Sequence, residues 1–344
     1  MSGYLSDLKN SFLATGVGSM PGEDPVAALT LVFDELGDHI PFWPQLPQSS
    51  FLENMYVQFS EKFPGVVIDQ VKKTIMVNTQ GVAYAQELEE CFNKTQADDV
   101  DYFSISKTYA RGLYLMTQRM MALGGQGWVK AQIIGPFSFG LSLLDENKKP
   151  VLYNPELSEI IPLFLSLKVS WLIRQIKVHA KTKVIIFIDE PYLVAVGTDQ
   201  NTLPREVIID KINQVVRLIH DNGALAGIHC CGNTDWDLVF STDIDILNFD
   251  AYGYFDKIAL YEKSFLSFLK KGKIPAIGIV PTNDDILKEG IEEHLFGTLK
   301  KYGKFLAQGA LVTPSCGLSG FSLENSRKAL KMCARLAERL REGF

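Results

Sequence analysis

The segment Gly227-Ile228-His229-Cys230-Cys231-Gly232-Asn233-Thr234 sets metal-binding side chains next to one another. On an extended backbone successive side chains alternate, so His229 and Cys231 point one way and Cys230 the other. A His and a Cys two positions apart can grip one metal ion from a strand, and Gly232 lets the chain turn away. Taken alone, the pattern is also that of a packed histidine beside two buried thiols. A second segment, Thr313-Pro314-Ser315-Cys316-Gly317-Leu318, offers a third ligand. Two thiolates and one imidazole suit zinc with a fourth position left open. Zinc in such a site is a Lewis acid that keeps an incoming thiol as thiolate at neutral pH, where a free thiol of pKa about 8.5 is mostly protonated.

Other polar residues fall where strand-like runs end. Asp250, in Asn248-Phe249-Asp250, is a fourth ligand exchangeable for substrate sulfur, or a helix N-cap. Asp189 and Glu190, in Phe187-Ile188-Asp189-Glu190-Pro191, are placed to bind a substrate ammonium or position a proton, or to pair with a neighbouring strand's Lys or Arg. Gly16-Val17-Gly18-Ser19-Met20-Pro21-Gly22 permits close backbone approach. Its amides and the Ser19 hydroxyl can hold a carboxylate, or form a plain turn. Gly135-Pro136-Phe137 ends another run in the same style.

The elements that must carry these residues alternate. Strand-like runs cover residues 12–18, 40–46, 128–134, 184–188, 224–228, 244–249, 274–280 and 310–313. Helical patterns cover 25–36, 106–123, 155–179, 205–221, 256–271, 285–302 and 323–341. Eight strands alternating with helices predict a parallel α/β fold, a (βα)8 TIM barrel whose strand ends share one mouth. No G-x-G-x-x-G follows the first strand, which disfavours a dinucleotide-binding open sheet. Residues 47–101 are too long for a loop. They are expected to be an insertion between strands 2 and 3 with a helix near 50–62 and a hairpin near 66–77, covering the mouth. One domain, 1–344, is the economical organisation.

Composition bounds the partners. Net charge is −6, with 47% hydrophobic and 22% charged residues. The only basic clusters are short, such as Lys270, Lys271 and Lys273, so no face is expected for a nucleic acid. The longest apolar stretch, 160–173, is broken by Lys168 and too short for a membrane span. Residues 1–10 are polar and lack an apolar leader, and an odd count of five cysteines suits reduced thiols in the cytoplasm.

In order, Val17-Gly18-Ser19, Gly135-Pro136, Ile188-Asp189-Glu190-Pro191, His229-x-Cys231, Asp250 and Cys316-Gly317-Leu318 resemble the catalytic barrel of cobalamin-independent methionine synthase. That barrel belongs to the superfamily of uroporphyrinogen decarboxylase and the zinc methyltransferases acting on methyl-corrinoid proteins. The resemblance spans nearly the whole chain. It implies that His229, Cys231 and Cys316 bind Zn2+ and that Asp250 stands where methionine synthases carry a glutamate ligand. It also implies that Asp189 holds the ammonium of an amino-acid thiol, homocysteine, and that Ser19 lies in the stretch binding its carboxylate. Glu53 is matched to the family's glutamate from the loop after the second strand.

Three departures bear on the reaction. The chain is short of the family's extra N-terminal barrel. The stretch Gly135-Pro136-Phe137-Ser138-Phe139-Gly140 lacks the tryptophan that stacks on folate. Pro281-Thr282-Asn283 lacks the histidine thought to protonate the folate leaving group. A methyl-corrinoid donor, methylcobalamin or a methyl-corrinoid protein, needs no such acid, and His-Cys-x-Gly-Asn resembles the corrinoid-dependent methyltransferase motif. The expectation is a zinc-dependent thiol S-methyltransferase making methionine. The alternatives are an enzyme for another thiol, such as coenzyme M, and a non-catalytic zinc barrel that binds a corrinoid protein.

Overall fold

The computed structural model describes residues 2–125, 127–177, 181–198 and 201–343. Its main sheet has seven parallel strands, curled, in the order β1 (Phe12–Ala14), β9 (Ala310–Pro314), β8 (Ile274–Val280), β7 (Ile246–Asp250), β6 (Leu225–Cys230), β5 (Thr182–Asp189) and β4 (Gly127–Ile134). Every pairing between neighbours is parallel. Both faces are covered, so strands such as β6 and β8 are buried at every position. One face packs on helices. The other gathers Ile185, Phe187, Leu225, Ile246, Ile274 and Leu311 into a separate cluster, which Leu8 of the N-terminal helix Ser2–Leu8 joins.

The run at 40–46 was expected to be the second strand and is not one. Pro41 and Pro44 have no N–H to donate, so no continuous ladder forms. Single bridges stand in its place, Phe42 to Lys130 of β4 and Gln45 to Ser19. Trp43 N donates to the Lys130 carbonyl (3.0 Å), Lys130 N to that of Pro41 (2.9 Å), and Gln45 N to that of Gly18 (3.0 Å). The first strand is also shorter than 12–18, leaving residues 15–19 as a loop.

Helices follow the sequence pattern closely. Asp24 and Asn154 cap Pro25–Leu36 and Pro155–Ile176, each with proline in the first turn. His179, expected at the end of the second, lies outside the described residues. The helix expected at 256–271 is two, Ala251–Ile258 and Glu262–Lys270. The insertion after the 40–46 run carries the hairpin β2 (Val66–Asp69) with β3 (Thr74–Val77), as expected. Its helix at 50–62 is broken. Asn54 takes an extended backbone (ψ 136°) and caps a fresh turn, Met55–Gln58, by accepting from Tyr56 N. A further helix in the insertion, Tyr84–Gln96, was not anticipated. Among the described residues no helix is long and apolar enough to cross a membrane.

Candidate metal centre

β6 delivers His229 to the carboxyl end of the sheet, Cys231 follows directly after the strand, and the segment after β9 delivers Cys316. His229 Nε2 stands 2.9 Å from Cys231 Sγ, and Cys231 Sγ 3.5 Å from Cys316 Sγ. All three ligand atoms lie within 4.8 Å of one another. Zinc bonds of about 2.0–2.3 Å at tetrahedral angles put donor atoms roughly 3.5–3.8 Å apart, so this donor set fits zinc in size and softness. Cys230 is buried on the opposite side of the strand, with its thiol toward the Gly232 carbonyl.

The histidine's orientation comes from β7. Asn248 sits in register with His229, and its Oδ1 is 2.5 Å from Nδ1. The Asn248 Nδ2 group donates to the Ala276 carbonyl and to Thr313 Oγ1, both at 2.9 Å. The amide can therefore offer only its oxygen to the ring. Nδ1 therefore donates, and Nε2, which faces the cysteines, is the nitrogen left to bind a metal.

The three residues share a cavity of ≈ 270 Å³ with Val17, Ser19, Glu53 and Asp189. The structure thus brings together seven of the residues singled out in the sequence. Asp189 is the last residue of β5, 6% exposed, and its Oδ1 has no hydrogen-bond partner. Burial pushes its pKa up to about 6, with Lys130 and His229 opposing. Ser19 packs on Gly317, where a Cβ would come within 2.0 Å of the serine hydroxyl, so a side chain there would displace that hydroxyl. Glu53 has one oxygen on Leu46 N (3.1 Å) and the other on Arg111 Nε (3.0 Å), and burial raises its pKa.

Three expected site residues do not line the cavity. Asp250 is not in the metal-binding group. It caps Ala251–Ile258, accepting from Gly253 N at 2.8 Å, as a carboxylate just before a helix readily does. Glu190 is fully buried but turned from the cavity. It accepts from Phe137 N (3.0 Å) and Ser138 N (2.7 Å) at the start of Pro136–Ser142. Gly135 makes this room, since a Cβ there would sit 2.1 Å from the Glu190 carboxyl. Burial lifts the Glu190 pKa to about 7 against those amides. Gly18 does not line the cavity. It has φ +155° between Val17 and Ser19, where a side chain would meet Gln132 and Gln45.

The two thiols shift one another's titration in opposite directions. The hydrogen bond with Cys231 draws the Cys316 pKa down; burial opposes this and His229 reinforces it. Cys231 is pushed up by the same contact, by burial and by the charge on Cys316. Burial works against a charged His229, but Cys316 and Asp189 outweigh it and raise its pKa. Sequence reasoning missed Asn248 and also Tyr56, which lines the cavity from the insertion and meets Tyr192 edge-on at 6.2 Å. Asn248 had a signal, a polar residue inside an apolar strand two before Asp250. Tyr56 had none.

No family model and no curated protein matches the chain. Among solved structures it is similar to a B12-independent methionine synthase from Shewanella sp. W3-18-1 in complex with selenomethionine. The identity is 17% and the TM-score 0.61, over 96% of this chain and 98% of that one. The fold is that of B12-independent methionine synthase. A methyltransferase from Methanosarcina mazei is similar too, with 12% identity and a TM-score of 0.58 over 92% and 86% of the two chains. The methionine-synthase fold places His229, Cys231 and Cys316 at the carboxyl ends of strands far apart in sequence, at one mouth.

Proposed function

We propose that this chain is a zinc-dependent thiol S-methyltransferase that methylates homocysteine, or an amino-acid thiol like it, from a methyl-corrinoid. The observation that carries the reading is the shared cavity: the His229, Cys231 and Cys316 group opens onto the unpartnered Asp189 Oδ1. We read the 40–46 run as the eighth element that closes the sheet into a barrel. His229, Cys231 and Cys316 would hold the zinc, with Asn248 fixing the imidazole tautomer. Zinc bound there supplies a Lewis acid that keeps a thiol as thiolate near neutral pH.

The remaining roles belong to the chain. Asp189 pairs with the substrate ammonium, and a buried carboxylate without a partner gains most from such a cation. Ser19 meets the carboxylate. With both α-carbon substituents of the amino acid held, the thiol at its other end would be directed toward the metal position, and orientation of this kind lowers the barrier to in-line attack. The selenomethionine complex of the Shewanella protein supports an amino-acid ligand of this size and type. An ammonium partner favours homocysteine over a sulfonate thiol such as coenzyme M. A three-ligand group favours catalysis over a closed structural zinc.

The residues after β8 support the corrinoid reading of the donor. Thr282, after β8, is hydrogen-bonded to Ser315 (3.1 Å), and among the described residues His229 is the sole histidine lining the cavity. Phe137 and Phe139 are fully buried rather than open to a stacking ring. A methyl-folate amine needs a proton to leave, whereas a corrinoid cobalt leaves as Co(I). The test assays zinc-loaded protein with homocysteine and either methylcobalamin or methyl-tetrahydrofolate. Methionine formation from methylcobalamin, well above the folate rate, is expected. No methionine from either donor overturns the activity, and turnover with methyl-folate alone overturns the donor.

A further inference from the structure

Behind Val17, Lys130 of β4 is completely buried. Its Nζ donates to the Val17 carbonyl and to Gln132 Oε1 (2.9 Å), and lies 4.7 Å from the ring centre of Phe187. Gln132 Nε2 donates to the Trp43 carbonyl at 3.0 Å. One lysine thus ties β4 to the loop after β1, and its partner Gln132 ties in the proline-interrupted 40–46 run. An amine buried this deeply is costly, and burial pushes its pKa down to about 7 against the pull of Asp189. An apolar side chain of the same length would fill the space at less cost. Charged or neutral, the amine has at least two N–H groups, enough for both acceptors.

The loop it grips faces the cavity. Val17 and Ser19 line it, on either side of Gly18. The Ser19 carbonyl accepts from Leu318 N at 2.8 Å, and its hydroxyl sits against Gly317. A line of contacts therefore runs from Lys130 through Val17 and Ser19 to the residue beside Cys316.

We infer that Lys130 is a positioning residue for the substrate carboxylate: by holding the Val17 carbonyl it fixes where the Ser19 hydroxyl stands in the cavity. This rests on the amino-acid reading given above. Methionine and methioninol share the amine and the thioether, and methioninol has an alcohol in place of the carboxylate. Their binding to zinc-loaded protein is compared by calorimetry in wild type and Lys130→Met. Lys130→Met should lose roughly tenfold or more in methionine affinity while methioninol binds as in wild type. Equal losses for both ligands, or no loss for either, overturn the assignment and leave Lys130 a structural residue. If circular dichroism shows Lys130→Met unfolded, Gln132→Met is read the same way, a selective loss supporting the role and a parallel or absent loss overturning it. Wild type that binds neither ligand overturns the amino-acid reading and this role with it. Wild type that binds methionine beside an unselective variant overturns the role alone.

Discussion

Asn248 Oδ1 stands 2.5 Å from His229 Nδ1, and both hydrogens of the same amide are spent on Ala276 and Thr313. The asparagine can only accept, so it selects the imidazole tautomer whose free nitrogen faces the two cysteines. Asn248→Leu should weaken zinc binding by about 10–100-fold. Asn248→Asp, which keeps an acceptor, should bind more tightly than Asn248→Leu. Competition with a chromophoric chelator measures both, and wild-type affinity in Asn248→Leu would show that the ring needs no such support.

The purified protein should carry about one zinc per chain, and Cys231→Ala and Cys316→Ala should each lose most of it. Cys230→Ala should keep the metal, because that thiol is directed to Gly232 on the other side of β6. Elemental analysis decides this. Full retention in both ligand variants removes the site, and equal loss in Cys230→Ala means that the wrong cysteine has been assigned.

Asp189→Asn should reduce homocysteine affinity by roughly tenfold or more while leaving zinc content unchanged. Oδ1 has no partner in the protein, so the substituted amide disturbs no existing hydrogen bond at that atom. Calorimetric titration of the zinc-loaded variant is the measurement. Unchanged affinity would point to a thiol without an ammonium group.

Lys168, inside Pro155–Ile176, is fully buried, its Nζ has no hydrogen-bond partner, and it lies 5.0 Å from the ring centre of Phe164. Burial lowers its pKa from 10.5 to about 7. Between those values the unfolded chain holds a proton that the folded chain has shed, so stability rises as pH rises through the window. Lys130 acts in the same direction. Lys168→Met should therefore stabilise the fold by about 1–3 kcal/mol at neutral pH and make stability rise less between pH 7 and 10 than in wild type. Urea unfolding at several pH values reads this out, and a destabilised variant would contradict it.

Much of the site was legible because its logic is local. Alternation along an extended strand separates Cys230 from His229 and Cys231 without any tertiary contact. The apolar runs and their punctuation likewise marked β4 to β9 and the hairpin at 66–77 within a few residues. Helices starting at Pro25, Pro155 and Arg205 were marked by the helical pattern.

Tertiary structure alone decided between side chains that look alike in sequence. Asp189 and Glu190 are adjacent carboxylates at a strand end. One faces the cavity and the other turns to a helix start, where Gly135, just past β4, leaves room for its carboxyl. Asp250 had two readings, and the amide of Gly253, one helical turn on, takes its carboxylate as a cap. The partnership of Asn248 with His229 depends on the register of β6 against β7, and the grip of Lys130 on Val17 on how β4 approaches the first loop. Periodicity records which face of an element is buried. It carries no record of which residue of another element stands opposite, since that is set by strand register and by the room small residues leave.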